Sequence, residues 1–244
     1  MNKLLLTSLI LINILHAGTA SENIKLHPKD KEIVLSSLLK NGNLLSYASP
    51  ALRKDKDVVL TAVKENANAL QYASIKLQND KDVVLAALAK SGDVLKYASE
   101  VLKNDKDVVL TAVTKLGHSI KYAGAKLKDD KDIAIAAVAS SASAAPFISA
   151  RLKKDKEVAL ASVMKHGNTI QHFNIDIRKD FDVAFEAVIE RGSALKYVDS
   201  SMKKNKNIVL AAIKNNKSAI KYAHPSLEKD PDIMKVLNRP RECK

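Results

Sequence analysis

The feature that most constrains the fold of this chain is a repeat with a fixed period of 25 residues. The pattern Asp-Lys-Asp-Val-Val-Leu, followed by Leu-x-Tyr-Ala-Ser, returns in register without an insertion, and it is clearest at residues 55–74 and 80–99. A unit of this length cannot bury its apolar face alone, so a period of about 20–50 residues predicts a solenoid of stacked copies. Eight full copies, numbered here as repeats 1 to 8, begin at Asp30, Asp55, Asp80, Asp105, Asp130, Asp155, Asp180 and Asn205, and a truncated ninth begins at Asp230.

A single copy has the pattern of a helical hairpin. In repeat 3, Asp80 is an N-cap residue for a long helix whose wide apolar face includes Val83, Val84 and Leu88. Gly92 follows the end of this helix, and we expect it to adopt the left-handed C-cap conformation that glycine tolerates best. The same column holds five of the seven glycines in the chain, namely Gly42, Gly92, Gly117, Gly167 and Gly192.

Two further columns of capping residues divide the rest of each copy into a short helix and a final helical turn. The first column predicts the start of the short helix, at Asn43, Asn68, Asp93, His118, Ser143, Asn168, Ser193 and Ser218. The second predicts the start of the turn, at Ser49, Ser74, Ser99, Gly124, Ser149, Asn174, Asp199 and His224. The predicted fold is therefore all-α, an α-solenoid of eight 25-residue helix-turn-helix repeats plus a truncated terminal repeat.

These residues also carry a resemblance to a known family. The segments Asp-Lys-Asp-Val-Val-Leu-x-Ala-Val-Lys and Gly-x-x-Leu-x-Tyr-Ala-Ser resemble the repeat called domain of unknown function 4116. The resemblance covers nearly all of residues 30–229 and implies helical repeats. It implies no catalytic residue and no assigned activity.

The N-terminus predicts export. Lys3, an apolar run from Leu4 to Leu15, and small residues up to Ala20 are typical of a secretory signal peptide. We expect a periplasmic or secreted protein, with a membrane anchor formed by the uncleaved N-terminal segment as the alternative. The expected segments are a signal peptide at 1–20, an N-terminal cap at 21–29 in which Leu26 seals the stack, the solenoid at 30–229, and a truncated capping repeat with a polar tail at 230–244.

The sequence gives little support to an enzyme. The histidines are scattered through different columns, and the spacing of His166 and His172 matches no tight pair of metal ligands on a helix. Cys243 stands alone in the C-terminal tail and supports neither a disulfide framework nor a catalytic thiol. We therefore expect a non-enzymatic protein with no metal and no cofactor.

The aromatic residues share one column. Its members are Tyr47, Tyr72, Tyr97, Tyr122, Phe147, His172, Tyr197 and Tyr222. We interpret them as plugs between stacked units, with a binding ladder as the alternative. Repeats 5 to 7 are the least regular, and there altered curvature is favoured over a ligand site formed by His166, His172, Phe173 and Phe181.

Charge is the remaining signal, since 40 Lys and Arg residues against 27 Asp and Glu residues give a formal net charge of +13. Lysines beside the capping carboxylates are expected to be neutralised, namely Lys31, Lys56, Lys81, Lys106, Lys131, Lys156 and Lys206. A candidate anion-binding stripe consists of Arg53, Lys103, Lys128, Lys153, Arg178 and Lys203, together with Lys96, Lys121, Lys196 and Lys221 on the short helix. A solvated basic face is favoured over this stripe, because soluble solenoids need charged exteriors.

Two function classes follow from these patterns. The leading hypothesis is an exported protein-interaction scaffold that binds a protein or peptide along an extended surface. The alternative is a binder of an acidic glycan, an anionic lipid surface or another anionic polymer. Nucleic acid is disfavoured because of export and because no exposed aromatic side chain is expected between the lysines. Binding to an anionic polymer should weaken steeply with salt, whereas an apolar interface should not.

Overall fold

A computed structural model describes residues 19–238 of the chain. The secondary structure within these residues is helical and contains no strand, which confirms the predicted all-α repeat architecture. The described residues form two compact units, 19–124 and 125–238. Each unit is built from repeats that contain the same three elements in the same order, so one repeat explains the construction of both.

The first element of each repeat is an α-helix, called here the leading helix. Its start is capped as predicted, because Asp80 Oδ1 accepts hydrogen bonds from the backbone N–H of Asp82 at 3.1 Å and of Val83 at 3.2 Å. The leading helices of repeats 1 to 8 are Lys31–Leu38, Lys56–Glu65, Lys81–Leu88, Lys106–Lys115, Lys131–Ser140, Lys156–Val163, Phe181–Glu190 and Lys206–Asn215, and Pro231–Asn238 begins the ninth.

The second element is a 3-10 helix rather than an α-helix, and it begins earlier than predicted. The N-cap is the residue before the glycine column, since Asn41 Oδ1 accepts from the backbone N–H of Asn43 at 3.0 Å. The predicted capping column, which includes Asn43, therefore lies inside the 3-10 helix. The 3-10 helices are Gly42–Tyr47, Ala67–Tyr72, Gly92–Tyr97, Gly117–Tyr122, Ala142–Phe147, Gly167–His172, Gly192–Lys196 and Lys217–Tyr222.

The third element is a single helical turn, called here the closing turn. Its predicted cap is confirmed at Ser49 and Ser99, whose Oγ atoms accept from the backbone N–H of Leu52 at 3.4 Å and of Leu102 at 3.2 Å. The closing turns are Leu52–Lys54, Ile75–Gln78, Leu102–Asn104, Ala125–Lys128, Leu152–Lys154, Ile175–Lys179, Ser200–Lys203 and Pro225–Leu227.

The apolar core lies between the leading helices and the 3-10 helices. In repeat 3, Val83, Val84 and Leu88 of the leading helix and Leu95 of the 3-10 helix are fully buried. The leucine of the closing turn, Leu102, is also buried. Burying each such side chain contributes about 1.5–3 kcal/mol relative to its exposure, so the period of the sequence becomes the period of the core.

A backbone hydrogen bond joins the cap of each closing turn to the preceding repeat. Ser99 N donates to the Gln78 carbonyl at 3.0 Å, and Asn174 N donates to the Lys153 carbonyl at 3.1 Å. The same bond recurs at Ser49, Ser74, Gly124, Ser149, Asp199 and His224. Donor and acceptor must keep a fixed separation along the chain for this bond to form, which explains why no repeat carries an insertion.

The glycine column has a different role from the predicted one. No described glycine has a positive φ, so the expected left-handed C-caps are wrong. Instead, the leading helix of the following repeat approaches these glycines: a Cβ added at Gly92 would overlap the Ala112 carbonyl oxygen and would lie 2.9 Å from Ser119 Oγ. Gly42, Gly167 and Gly192 face the corresponding carbonyls of Ala62, Ala187 and Ala212. Glycine is needed here because another backbone comes close.

The length of the next leading helix follows the residue in this column. Within each unit, the helices that follow Gly42, Gly92, Gly167 and Gly192 have 10 residues. The helices that follow Ala67 and Ala142 have 8 residues. These shorter helices end in a tighter turn, in which Lys90 N donates to the Ala87 carbonyl at 3.1 Å. We infer that the methyl group of alanine leaves no room for the last α-helical turn of the neighbour.

The N-terminal cap is the helix Ala20–Leu26, whose first turn is held by a capping box between Thr19 and Glu22. Ile24 is fully buried, whereas Leu26 is 73% exposed, so the predicted sealing role of Leu26 is wrong. Leu26 lies 52 − 26 = 26 residues before the buried Leu52, one residue out of register with the period.

Two predictions concern residues that the structure does not describe. Residues 1–18 of the predicted signal peptide and Cys243 in the predicted tail lie outside the described residues. Across positions 19–238, the search for a helix that is long and apolar enough to cross a bilayer finds none.

Candidate functional site

The lysine beside each capping carboxylate forms an ion pair with the next repeat. Lys81 Nζ lies 2.9 Å from Asp105 Oδ2 and 3.0 Å from Asp107 Oδ2. The hydrogen bond from Lys81 lowers the pKa of Asp105, and the bond to Asp105 raises the pKa of Lys81. The same pairing, called here the ionic ladder, joins Lys31 to Asp55, Lys56 to Asp80, Lys131 to Asp155, Lys156 to Asp180 and Lys206 to Asp230. The predicted neutralisation is confirmed for these lysines.

The ionic ladder is interrupted between repeats 7 and 8. Phe181 takes the place of the lysine in repeat 7, and Asn205 and Asn207 take the places of both carboxylates in repeat 8. The cap survives, because Asn205 Oδ1 still accepts from the backbone N–H of Asn207 at 3.0 Å. The Phe181 ring, 42% exposed, stacks on Phe185 with ring centroids 5.5 Å apart. Charge is thus replaced by apolar surface on both sides of this interface.

Next to these rings, the leading helices of repeats 7 and 8 enclose an apolar groove of about 540 Å³. It is called here the repeat 7–8 groove, and it is lined by Phe185, Ile189, Asn207, Leu210, Ala211, Lys214 and Asn215. Ile189, which is 47% exposed, lies at one wall, and Leu210 lies at the other. Residues at equivalent positions of repeats 3 and 4, among them Leu110, line a smaller groove of about 460 Å³.

The grooves reveal an apolar column that the sequence interpretation did not single out. The sixth residue of every repeat is apolar, namely Leu35, Leu60, Leu85, Leu110, Ile135, Leu160, Phe185 and Leu210. Each of these side chains is half-buried or exposed. The signal was present in the sequence, but the leading helix was treated as covered on several sides, so this column was assigned to the core.

The second basic column is less open than the predicted stripe requires. Lys103 is 17% exposed and pairs with Glu100 at 2.8 Å. Lys153 Nζ donates to the Pro146 carbonyl at 2.8 Å, at the end of the 3-10 helix of its own repeat. Arg53, Lys128, Arg178 and Lys203 are likewise half-buried. These cations lie beside the 3-10 helices, where they help to satisfy carbonyl groups.

The lysines of the 3-10 helices lie over tyrosine rings. The ammonium of Lys96 is 4.9 Å from the centroid of the Tyr97 ring and 2.7 Å from Asp93, a contact that raises the pKa of Lys96. The same arrangement places Lys121 over Tyr122, Lys196 over Tyr197 and Lys221 over Tyr222. These tyrosines are half-buried, and Tyr47, which Lys25 covers, is 44% exposed. The expectation that no exposed aromatic lies between lysines is therefore wrong.

The four residues of the predicted irregular-repeat site fall in three places. His166 and His172 line one polar cleft of about 280 Å³. Phe173 is buried in the core, and Phe181 belongs to the stacked pair near the repeat 7–8 groove. The cleft, called here the His–Arg cleft, is lined by Ala142, His166, Asn168, Thr169, Gln171, His172 and Arg191. The search over residues 19–238 found no group of three or more His, Cys, Asp or Glu side chains arranged to hold a metal ion.

Comparison with known families agrees with the repeat structure. The model of the family described as a domain of unknown function, DUF4116, matches the chain in overlapping steps of 25 residues, from 30–78 and 55–103 through to 180–228 and 205–235. The chain belongs to this family. As a DUF4116 protein it is assigned to a repeat family, not to an activity. No curated protein and no solved structure matches the chain.

Proposed function

We propose that this DUF4116 protein is a non-enzymatic interaction scaffold that binds an apolar segment of a partner protein in the repeat 7–8 groove. The observation that carries the proposal is the interruption of the ionic ladder at Phe181, Asn205 and Asn207. Losing the lysine alone would leave carboxylates without their partner. The paired replacement instead produces an uncharged, apolar surface, which is typical of a protein-binding site.

The partner segment is expected to be apolar with acidic residues beside its apolar side chains. Phe185, Ile189 and Leu210 supply the apolar walls of the groove, and Lys214 supplies the cation at its rim. Within the described part of the chain, Lys214 forms no ion pair. The chain carries a net charge of +13, which favours an acidic partner as it approaches. An exposed Ile or Phe that becomes fully buried contributes about 1.5–3 kcal/mol, so a few such contacts can determine specificity.

The test uses two equivalent positions. Ile189 and Leu39 are both the tenth residue of their repeat, and both are exposed, at 47% and 67%. A photo-crosslinking residue is placed at 189 or at 39 in cells that make the protein, and the protein captured from 189 is identified and purified. Its affinity for the scaffold is then measured by calorimetry with Ile189→Glu and with the matched control Leu39→Glu.

Ile189→Glu should weaken binding at least about tenfold, which corresponds to about 1.4 kcal/mol. Leu39→Glu should bind like the unchanged protein, because position 39 is outside the groove. Equal crosslinking from both positions, or unchanged affinity of Ile189→Glu, would show that the groove is not the binding site.

A second candidate function is the binding of an anionic polymer, such as an acidic glycan, or of an anionic lipid surface. The observation that favours it is the set of four lysines on tyrosine rings, Lys96, Lys121, Lys196 and Lys221. A lysine paired with an aromatic face keeps its charge available to a polymer at the surface. Glutamine at all four positions should abolish retention on an immobilised acidic glycan at low salt. Glutamine at Lys31, Lys56, Lys81 and Lys206 of the ionic ladder is the control and should matter less.

We also propose that the protein acts outside the cytoplasm, in the periplasm or after secretion. Lys3, the apolar run that follows it and Ala20 support this proposal. Cleavage after Ala20 would remove Thr19, so the helix Ala20–Leu26 would lose its capping box in the mature chain. Mass spectrometry of the native protein should find Ser21 or a near neighbour at the N-terminus. An intact Met1 on a cytoplasmic protein would contradict export.

A further inference from the structure

The His–Arg cleft is a binding site in its own right, separate from the repeat 7–8 groove. It lies along the 3-10 helices of repeats 5 to 7, whereas the repeat 7–8 groove lies between leading helices, and no residue lines both. Its volume of about 280 Å³ is just below the range of about 300–1,000 Å³ that is usual for ligand pockets, and this suits a small group.

The cleft exists because three repeats depart from the common pattern at the same place. Position 12 of the repeat is Asn or Ser in five of the eight copies, but it is His166 in repeat 6 and Arg191 in repeat 7. The aromatic column holds His172 instead of tyrosine, and repeat 5 contributes only the methyl group of Ala142 to the wall. Large side chains are thus replaced by smaller groups that carry nitrogen donors.

The lining is rich in donors and contains no carboxylate. Arg191 offers a planar guanidinium, whose paired N–H groups match a carboxylate or a phosphate. Asn168 and Gln171 add side-chain amides. The nearest described carboxylate, Glu190, accepts from Gly167 N at 2.7 Å and lies 3.9 Å from Arg191 Nε, so its interaction with Arg191 is weak. The cleft therefore favours a negatively charged group.

One buried atom in the cleft residues lacks a partner. His166 Nε2 is buried and makes no hydrogen bond. A buried polar group without a partner costs about 1–3 kcal/mol, and a ligand that accepts a hydrogen bond from it would remove this cost. The other polar groups of His166 are engaged in the local fold, because its carbonyl accepts from Thr169 Oγ1 at 2.7 Å. This nitrogen is the group that the fold itself leaves unused.

We propose that the His–Arg cleft binds an oxyanion, a phosphate or carboxylate group, between Arg191, His166 and His172. The group could belong to a free small anion or to the end of a peptide, and both present the same oxygen atoms. Burial and the nearby Lys153 lower the pKa of His172, so this imidazole is neutral at neutral pH and can donate one hydrogen bond. An anion beside it would raise that pKa again.

The test follows the histidine side-chain NMR signals of the chain during titration with inorganic sulfate, whose charge is constant over the pH range used. Chloride at the same ionic strength is the reference. The signals of His166 and His172 should shift and saturate with sulfate, and the pKa of His172 should rise. Affinity should therefore increase as the pH falls. The groups that can contribute to this dependence are His166, His172, Lys153, Glu190 and Arg191.

The variants separate the cleft from general charge. Arg191→Gln should weaken sulfate binding at least about tenfold. The matched control Lys204→Gln removes the same charge from an exposed position outside the cleft and should change nothing. His172→Tyr restores the usual residue of the column and should also abolish the response of His166. Shifts that never saturate, or equal losses in Arg191→Gln and Lys204→Gln, would overturn the proposal.

Two further arms distinguish the sources of the oxyanion. Inorganic phosphate represents a free anion, and a short peptide with a free C-terminus represents a terminal carboxylate, with its amidated form as control. Tighter binding of the free-acid peptide than of phosphate would assign the site to a chain terminus. The reverse order would assign it to a small anion. Failure of every probe to saturate would refute the site and leave the repeat 7–8 groove unaffected.

Discussion

The close approach at the glycine column makes Gly92→Ala the most informative single substitution for the fold. The added Cβ would overlap the Ala112 carbonyl oxygen and lie 2.9 Å from both Leu116 Cβ and Ser119 Oγ. Backbone atoms cannot rotate away as a flexible side chain can, so the leading helix of repeat 4 must move or end earlier. Overpacking of this kind costs about 1–3 kcal/mol.

Two effects reduce the net cost of Gly92→Ala. Alanine restricts the unfolded chain and stabilises by about 0.4–1 kcal/mol where its conformation is compatible, and φ at Gly92 is not positive. The helix can also shorten from 10 to 8 residues, the length found after Ala67. We therefore expect a net loss of about 0.5–2 kcal/mol in the free energy of unfolding, the difference between the overpacking and unfolded-state effects.

Urea unfolding measures this loss, and amide hydrogen exchange locates it. The hydrogen bond from Leu116 N to the Ala112 carbonyl, 2.9 Å long, should lose its protection in Gly92→Ala. The control Ala67→Gly carries the reverse change in repeat 2, where protection at the end of the next helix should be kept or increased. Unchanged or increased stability of Gly92→Ala, with the Leu116 amide still protected, would refute the proposed role of the glycine column.

Other predictions concern the caps and the ionic ladder. Asp105→Ala should lower the free energy of unfolding by about 0.5–2 kcal/mol, because the backbone N–H groups of Asp107 and Val108 lose their acceptor, whereas Lys81→Met should cost less since the cap remains; equal losses in urea unfolding would contradict this. The lowered pKa of Asp55 and Asp105 gives stability that is present above the unfolded pKa of about 3.9 and is lost as the pH falls through the folded values, so thermal unfolding should shift downward on acidification, and Asp105→Asn should show less of this shift. The raised pKa of Lys81 gives stability that is present below about pH 10.4 and is lost as the pH rises through the folded value; a flat alkaline profile would count against the ladder. Lys153→Met should reduce stability by about 1 kcal/mol by freeing the Pro146 carbonyl, and no change would return Lys153 to the surface.

The architecture was predictable because it depends on the period and on local signals. A period of 25 residues, an N-cap aspartate and a block of apolar residues each predict the same helix, and the structure confirms it at Asp80 and Asp105. The type of the second helix was not predictable in this way. Its cap at Asn41 and the column of Asn43 both contain good capping residues, and only the hydrogen bonds distinguish them.

The glycine column and the basic columns show what local reasoning cannot supply. A glycine after a helix predicts a C-cap, but Gly92 is selected by a carbonyl that lies 112 − 92 = 20 residues further along the chain. Lys81 and Lys103 have similar neighbours in sequence, yet one pairs with the next repeat and the other lies half-buried beside its own 3-10 helix. Both outcomes depend on the offset between neighbouring repeats, which a single copy does not contain.

The candidate sites were only partly predictable for the same reason. His166 and His172 were recognised as unusual, and the fold brings them together, but Arg191 was missed because it comes from another repeat. Phe181 was noticed as an exception, whereas its connection with Asn205 and Asn207 appears only when the ionic ladder is known.

The salt dependence of partner binding tests the central functional claim most directly. The affinity of the partner captured at position 189 would be measured by calorimetry at about 50 mM and about 200 mM salt, a range over which 6–10 phosphate contacts would cost about 10³–10⁵ in affinity. An apolar interface in the repeat 7–8 groove predicts a change of less than about tenfold over this range, together with a large loss for Ile189→Glu at both salt concentrations. A fall of about a thousandfold or more, with Ile189→Glu still binding like the unchanged protein, would contradict the scaffold and favour recognition by charge.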